Sequence, residues 1–224
     1  FHFDDAKLFG SSFILAGDTF ADWIRLFPNR PVGIITFYIN FKIHGLDVWG
    51  YHLVNLVVHL VNAFLIWWFV WLTFSTPMIR ESEIIQHKAI VAFLTSLLFV
   101  THPLATQSVT YIIQRFASLA TLFYLLSLAL FVEGKLWPGG RKVSWLLFGG
   151  AVLSALLGIR TKEMVFTLPL AIILYDFCFF KTSPWRWKWR DESLLVAFSI
   201  LIVFLYLSLG IVSLKSFNPV EPGQ

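Results

Sequence analysis

The sequence has little charge and almost no cysteine. Only 13% of its 224 residues are charged, whereas a typical soluble domain carries about 25%. The single cysteine, Cys178, excludes a disulfide within the chain. No Cys/His cluster has the spacing of a structural zinc site. These absences argue against a soluble domain, a disulfide-stabilised secreted domain and a zinc-stabilised fold.

Apolar side chains are in large excess. Hydrophobic residues make up 58% of the chain, and the mean hydropathy is +0.75. Because one core cannot bury this much apolar surface, lipid must cover much of it, and the chain is predicted to be an integral membrane protein. The net charge of +4 comes from basic residues between the apolar runs, where membrane lipid and orientation explain them better than a nucleic-acid partner.

Six apolar segments have about the length that a membrane crossing needs, near 20 residues. They cover residues 53–74, 89–104, 116–133, 144–159, 164–180 and 192–214. The predicted fold is therefore all-α, a polytopic transmembrane helix bundle over residues 53–214. The chain opens with Phe1 and ends in a polar stretch, so we expect a fragment that has lost at least an N-terminal span.

The segment 1–52 differs from the spans because charged residues and two prolines interrupt it. Two amphipathic pieces, residues 19–27 and 32–44, are predicted to lie along the membrane interface rather than cross it. Alternate inter-span loops carry nine lysines and arginines on one face against four on the other. The positive-inside rule then makes residues 1–52 extracytoplasmic, and residues 215–224 an extracytoplasmic tail.

An acidic pair, Asp4 and Asp5, begins the extracytoplasmic segment. A carboxylate at the membrane surface can act as general base toward an acceptor hydroxyl. The alternative is a solvated helix cap.

Charged and polar residues also gather at span junctions of the same predicted face. His102 and Gln107 lie in the turn that ends the second span, where they could contact an acceptor or donor group; an ordinary helix terminus is the alternative. Arg115 begins the next span. Ionisable groups near a bilayer are costly and mark functional sites by default.

The connection Arg160–Glu163 joins two apolar runs through four polar residues. Arg160 and Lys162 suit a phosphate or diphosphate, one through a bidentate fork and the other as a point charge. Snorkelling to lipid phosphates is the alternative reading.

Other polar residues are predicted to serve structure. Asn55, His59 and Asn62 form one stripe of the first span and are expected to bond to neighbouring helices. Asp176 is expected to be a structural ion partner. Small residues of the fourth span are expected to permit close helix packing. These are Gly149, Gly150, Ala151, Ser154, Ala155 and Gly158.

An ordered set of short motifs is similar to one known family. The set comprises Phe3–Asp5, Arg30–Pro31, Gly50–Leu56, His102–Pro103 with Thr106 and Val109, Arg115, Lys162–Glu163 and Tyr175–Asp176. In this order they resemble the membrane portion of the transmembrane and tetratricopeptide-repeat proteins, which are O-mannosyltransferase-like members of the GT-C class. The resemblance extends over residues 3–180.

The resemblance implies a glycosyltransferase that moves a sugar from a polyprenyl-phosphate donor to an extracytoplasmic protein or glycan. It implies that Asp4 and Asp5 supply the catalytic base, and that Arg115 and Lys162 bind the donor phosphate. Arg160 is expected to bind the same phosphate because of its own chemistry. His102, Gln107 and Glu163 are then expected to contact donor or acceptor. Tetratricopeptide repeats would follow this fragment.

The chain departs from the family's turn pattern, His-Pro-x-His-Thr-Glu, at two positions. Ala105 and Gln107 replace the second His and the Glu. No metal ligands and no resident cofactor are predicted, although this departure leaves a divalent-metal requirement open. The chain resembles bacterial members more than animal ones, so a bacterial inner membrane is expected.

Two other function classes stay open. A lipid-linked sugar or solute transporter would be expected to have broken helices and a polar site near the midplane, whereas the ionisable residues here lie at span ends. A non-catalytic membrane anchor that displays downstream protein-binding repeats would tolerate Ala105 and Gln107.

Overall fold

A computed structural model of the chain describes residues 19–26 and 28–180, and all regular structure in these ranges is helical. The α-helices are α1 Phe20–Leu26, α2 Pro31–His44, α3 Val48–Thr73, α4 Lys88–Thr101, the single turn α5 Gln107–Thr110, α6 Arg115–Leu136, α7 Arg141–Ile159 and α8 Leu168–Phe180. Short 3₁₀ segments occupy Glu83–His87, Pro103–Thr106, Ile112–Gln114 and Glu163–Thr167.

Within the described residues, five helical segments are long and apolar enough to cross a membrane. They are Val48–Thr73, Glu83–Thr101, Ile112–Leu136, Arg141–Ile159 and Glu163–Phe180. They correspond to the first five predicted spans and confirm a polytopic all-α bundle and an integral membrane protein. The sixth predicted span, residues 192–214, and the tail 215–224 lie outside the described residues.

Two of the helix boundaries that differ from the predicted ones have identifiable local causes. The first span begins at Val48 rather than residue 53, because Asp47 caps it by accepting a hydrogen bond from the Trp49 backbone N–H at 3.1 Å. The second ends at Thr101 rather than residue 104. His102, which precedes Pro103, has an extended backbone with φ −64° and ψ 128°, the conformation that a following proline favours.

Helices α6 and α7 pack closely along a seam of small residues. Ala151 and Ala155 are fully buried. Ser127 donates to the Ala151 carbonyl at 2.8 Å, and Ser154 donates to the Phe123 carbonyl at 2.9 Å. Such bonds between closely approaching backbones are typical of membrane helix pairs, and they confirm the predicted role of the small residues. Gly149 is the exception, since it lies exposed.

The two predicted amphipathic pieces are helices α1 and α2. Trp23, Ile34 and Phe37 are buried and pack with Tyr51 and Phe116 of the spans. Gly45, with φ 58°, ends α2 and lets the chain turn into α3. The amphipathic helices therefore form a layer over one end of the bundle.

The opposite end of the bundle has polar contacts of its own. Lys135 forms an ion pair with the buried carboxylate of Asp176, which agrees with the structural role predicted for Asp176. The Thr73 and Tyr175 hydroxyls lie 2.8 Å apart. The ammonium of Lys88 lies 3.9 Å from the ring centroid of Trp71. These residues lie near span ends. Because successive spans run in opposite directions, the junctions between them form two groups, one at each end of the bundle.

A glycine substitution tests how tightly α2 packs on the bundle. A Cβ added at Gly33 would overlap two atoms of the Phe116 ring, whereas one added at Gly149 meets nothing within 4 Å. We expect Gly33→Ala to lower the unfolding free energy by about 1–3 kcal/mol, the usual cost of overpacking.

The matched control is Gly149→Ala, which should be neutral or stabilising by up to about 1 kcal/mol, because alanine favours the helix. Thermal unfolding of the two variants in one detergent compares them. Equal melting temperatures would contradict the packing of α2 described above.

Candidate functional site

One end of the bundle gathers the junctions that the sequence analysis singled out. The His52 ring nitrogen Nδ1 donates to the Val109 carbonyl at 2.9 Å, joining the start of α3 to the connection between α4 and α6. Asn55 donates to the Tyr111 carbonyl at 3.2 Å. Arg30, just before α2, contacts Glu163 at the junction of α7 and α8. Side chains of α3 and of three connections therefore meet at this end.

The Arg30–Glu163 contact is bidentate. Arg30 Nη2 donates to Glu163 Oε2 at 2.9 Å and to Oε1 at 3.0 Å, and Arg30 Nε donates to Oε1 at 3.3 Å. The two side chains are 33% and 58% exposed, so solvent reaches the pair. The Arg30 guanidinium also lies 5.8 Å from the Phe116 ring centroid. This pair ties the amphipathic layer to the α7–α8 connection, 133 residues further along the chain.

Arg160 and Lys162 flank a buried residue in that connection. The Thr161 side chain is fully buried and donates to the Leu157 carbonyl at 2.7 Å. Arg160 and Lys162 are half-buried, and neither forms an ion pair with any carboxylate in residues 19–26 or 28–180. Lys162 interacts electrostatically with the adjacent Glu163 carboxylate, which Arg30 also binds. Three cations therefore share one carboxylate, and this part of the described chain carries net positive charge.

Arg115 has a different environment. Its side chain is fully buried, and its guanidinium donates to the side-chain oxygens of Asn55 at 2.8 Å and Asn40 at 2.9 Å. It also donates to the carbonyls of Tyr51 at 2.9 Å and Thr36 at 3.4 Å. The Arg115 guanidinium is thus already hydrogen-bonded to protein oxygens. Its contact with a donor phosphate stays a prediction.

His102 and Gln107 lie on the exposed turn after α4. The His102 Nδ1 accepts a hydrogen bond from the Leu104 backbone N–H at 3.2 Å and so caps the following 3₁₀ segment. The other ring nitrogen has no hydrogen bond among the described residues. Contact of His102 or Gln107 with an acceptor stays a prediction.

The polar stripe of the first span bonds to neighbouring elements, as predicted. Asn55 contacts Tyr111 as described above, His59 lies 3.4 Å from the Ser108 hydroxyl, and Asn62 donates to the Ser118 carbonyl at 2.9 Å. The stripe therefore joins α3 to α5 and α6.

Asp4 and Asp5, the predicted catalytic pair, lie outside the described residues. Among the residues that are described, no group of three His, Cys, Asp or Glu side chains could hold a metal ion.

Sequence reasoning missed Asn40 and did not pair Arg30 with Glu163. Asn40 is 3% exposed and lies in the largely apolar helix α2. A lone amide among apolar neighbours could have indicated a buried hydrogen-bonding role. The Arg30–Glu163 pair left no local signal, because its members are far apart in the chain. The sequence pattern included Arg30 only in the Arg30–Pro31 motif and predicted no role for it.

The fold and this end of it define a class: a polytopic membrane protein with amphipathic helices covering a polar, basic end. Within that class the chain is similar to proteins named protein O-mannosyl-transferase. It is 28% identical to human TMTC2, in an alignment that covers 90% of this chain and 25% of that protein. It is 31% identical to Tmtc3 of Drosophila melanogaster over 66% of this chain and 17% of that protein.

A third relative, F38B6.6 of Caenorhabditis elegans, is 32% identical over 65% of this chain and 18% of that protein. These similarities confirm the resemblance to the transmembrane and tetratricopeptide-repeat family. The chain spans about a quarter or less of the length of these three relatives. All three are animal proteins, so the bacterial membrane stays a prediction.

No family model matches the chain. No solved structure matches it either.

The contribution of the Arg30–Glu163 pair to stability can be measured with a double-mutant cycle. Exposed ion pairs contribute about 0–1 kcal/mol, and bidentate geometry favours the upper end. For Arg30→Gln and Glu163→Gln we expect a coupling free energy near 1 kcal/mol from thermal unfolding in detergent.

The control cycle uses Arg80 and Glu81, whose charged groups lie 3.6 Å apart with side chains 58% and 80% exposed. It should give a coupling near zero, because solvent screens that pair. Indistinguishable couplings in the two cycles would mean that Arg30 and Glu163 do not hold the amphipathic layer in place.

Proposed function

We propose that this chain is the membrane part of a glycosyltransferase that moves a sugar from a polyprenyl-phosphate donor to an extracytoplasmic acceptor, a protein hydroxyl or a glycan. The names of the relatives support a glycosyltransferase with a protein acceptor and make mannose the first sugar to test. Because the chain covers so little of each relative, the activity belongs to the whole protein.

The observation that carries the proposal is the state of the two cations in the α7–α8 connection. Arg160 and Lys162 lie in a tight turn between two spans, beside the Arg30–Glu163 pair. Lys162 interacts electrostatically with Glu163, the same carboxylate that Arg30 binds, so three cations share one carboxylate in this part of the described chain. Long basic side chains at span ends can reach the interface at little cost, so the support comes from the gathering of three cations around a single carboxylate. An anionic lipid headgroup at the membrane surface has the charge and the position to bind both Arg160 and Lys162.

The chemistry then needs a base and an anion-stabilising group. One carboxylate of the Asp4–Asp5 pair takes the proton from the acceptor hydroxyl as its oxygen attacks the anomeric carbon of the donor sugar. The bond from that carbon to the phosphate oxygen breaks, with inversion at the carbon. The departing polyprenyl phosphate carries the bonding electrons, and Lys162 and Arg160 stabilise its charge.

The same proposal assigns a binding place to the donor lipid and an orientation to the protein in the membrane. The polyprenyl chain occupies apolar surface between spans, and the headgroup lies at the end covered by α1 and α2. The lysine and arginine count makes that end extracytoplasmic. Residues 1–52 thus belong to the reaction side. The lipid-linked sugar is the donor substrate. We propose no resident cofactor for the reaction, and a divalent-metal requirement stays open.

A transfer assay on the full-length protein tests the proposal. The protein is reconstituted in liposomes with radiolabelled polyprenyl-phosphate mannose and a serine- and threonine-containing acceptor peptide. Asp4→Asn and Asp5→Asn are compared with the parent, and we expect one of them to lower kcat about 10²–10⁴-fold, the usual contribution of a general base.

Lys162→Ala should raise the KM for the donor, since it removes a charge from the headgroup site. Lys88→Ala is the matched control, because Lys88 lies at the opposite end of the bundle, and its KM should equal that of the parent. Transfer that survives both aspartate substitutions would remove the carboxylates from the mechanism. Peptide binding without transfer from any donor would favour a membrane anchor, and uptake of labelled solute would favour a transporter.

A further inference from the structure

Arg115 is a buried cation that no carboxylate neutralises within the described ranges. Its side chain is fully buried, and it forms no ion pair there. Its charge is instead stabilised by four oxygen acceptors and by two aromatic faces. The guanidinium carbon lies 4.4 Å from the Phe37 ring centroid and 5.5 Å from that of Tyr51, within the range of cation–π attraction.

The acceptors of Arg115 lie on two other helices. Thr36 and Asn40 belong to α2, and Tyr51 and Asn55 belong to α3. Arg115 itself begins α6. The planar fork of one guanidinium therefore joins an amphipathic helix to two spans at a single point, a geometry that lysine cannot reproduce.

Helix α2 is held at two places along its length. Arg115 binds its middle through Asn40 and Thr36, and Arg30, just before its first residue, binds Glu163. Glu163 is next to Lys162 in the α7–α8 connection. The position of α2 therefore determines whether Arg30 reaches the connection that carries the two available cations.

We propose that Arg115 is a positioning residue, which docks α2 on the bundle and thereby sets the Arg30–Glu163 contact beside Lys162. Its effect on sugar transfer rests on the proposed function; its docking of α2 does not. Arg115 in this role does not contact the donor phosphate, because its fork is already engaged by the protein. Arg160 and Lys162 bind the donor headgroup instead.

A cross-linking experiment tests the docking without any donor. Arg30→Cys and Glu163→Cys are combined in the full-length protein, with Cys178 and any other cysteine replaced by serine. A short bifunctional thiol reagent is applied in native membranes. Since these substitutions remove the Arg30–Glu163 pair itself, the yield of cross-link depends on the remaining contacts of α2, Arg115 among them.

Arg115→Lys in this background should lower the cross-link yield several-fold in the monodisperse fraction of the protein. Asn40→Ala removes the side-chain acceptor of Arg115 on α2, together with the 3.2 Å contact of Asn40 with the His44 ring within the same helix, and leaves Arg115 in place. It should lower the yield in the same direction and serves if Arg115→Lys does not fold. The matched control is Arg25→Lys, at an exposed arginine of α1, which should cross-link like the parent. Unchanged yields in both test variants would overturn the proposal.

The transfer assay separates positioning from direct phosphate binding. With Arg30 and Glu163 restored, a positioning role predicts that Arg115→Lys and Asn40→Ala lower kcat/KM for the donor together, per unit of folded protein. A direct phosphate ligand predicts a loss for Arg115→Lys with none for Asn40→Ala, and this result would overturn the proposal. If the parent transfers no sugar, the proposed function fails, while the cross-link yield still decides the role of Arg115.

Discussion

The guanidinium of Arg115 imposes the strictest constraint on this end of the molecule. A charge taken out of water must find dipoles or counter-charges in the protein, since a bilayer offers none. Asn40, Asn55 and two backbone carbonyls supply those dipoles at 2.8–3.4 Å. Each buried amide left without its partner would cost about 1–3 kcal/mol, so α2, α3 and α6 must meet where they do.

That constraint divides the cations of this end into two kinds. The Arg115 guanidinium donates to four oxygen acceptors of α2 and α3, and the Arg30 guanidinium binds the Glu163 carboxylate. Arg160 and Lys162 lie in the α7–α8 connection, where Glu163 is shared between Arg30 and Lys162 and leaves net positive charge among the described residues. The helix bundle thus presents net positive charge at the α7–α8 connection, as recognition of an anionic lipid headgroup would require. The proposed transferase follows from this division of roles.

Much of the architecture could be predicted because it depends on local patterns. Long apolar runs predicted five spans that the structure contains, and interrupted amphipathic runs predicted α1 and α2. The i, i+4 and i+7 spacing of Asn55, His59 and Asn62 predicted a stripe that bonds to neighbouring helices. Boundaries were less accurate where a cap or a proline decided them, as at Asp47 and Pro103.

The amino-acid sequence by itself determined that the chain crosses a membrane, where its helices run, and which polar residues fall at the junctions. Hydrophobic length and periodicity specify these features one segment at a time. Only the tertiary structure decided which cations are available: Arg115 is surrounded by amides from two other helices, and Arg30 reaches Glu163 across 133 residues. Contacts between residues so far apart depend on how helices pack, and packing leaves no repeating pattern in a single sequence.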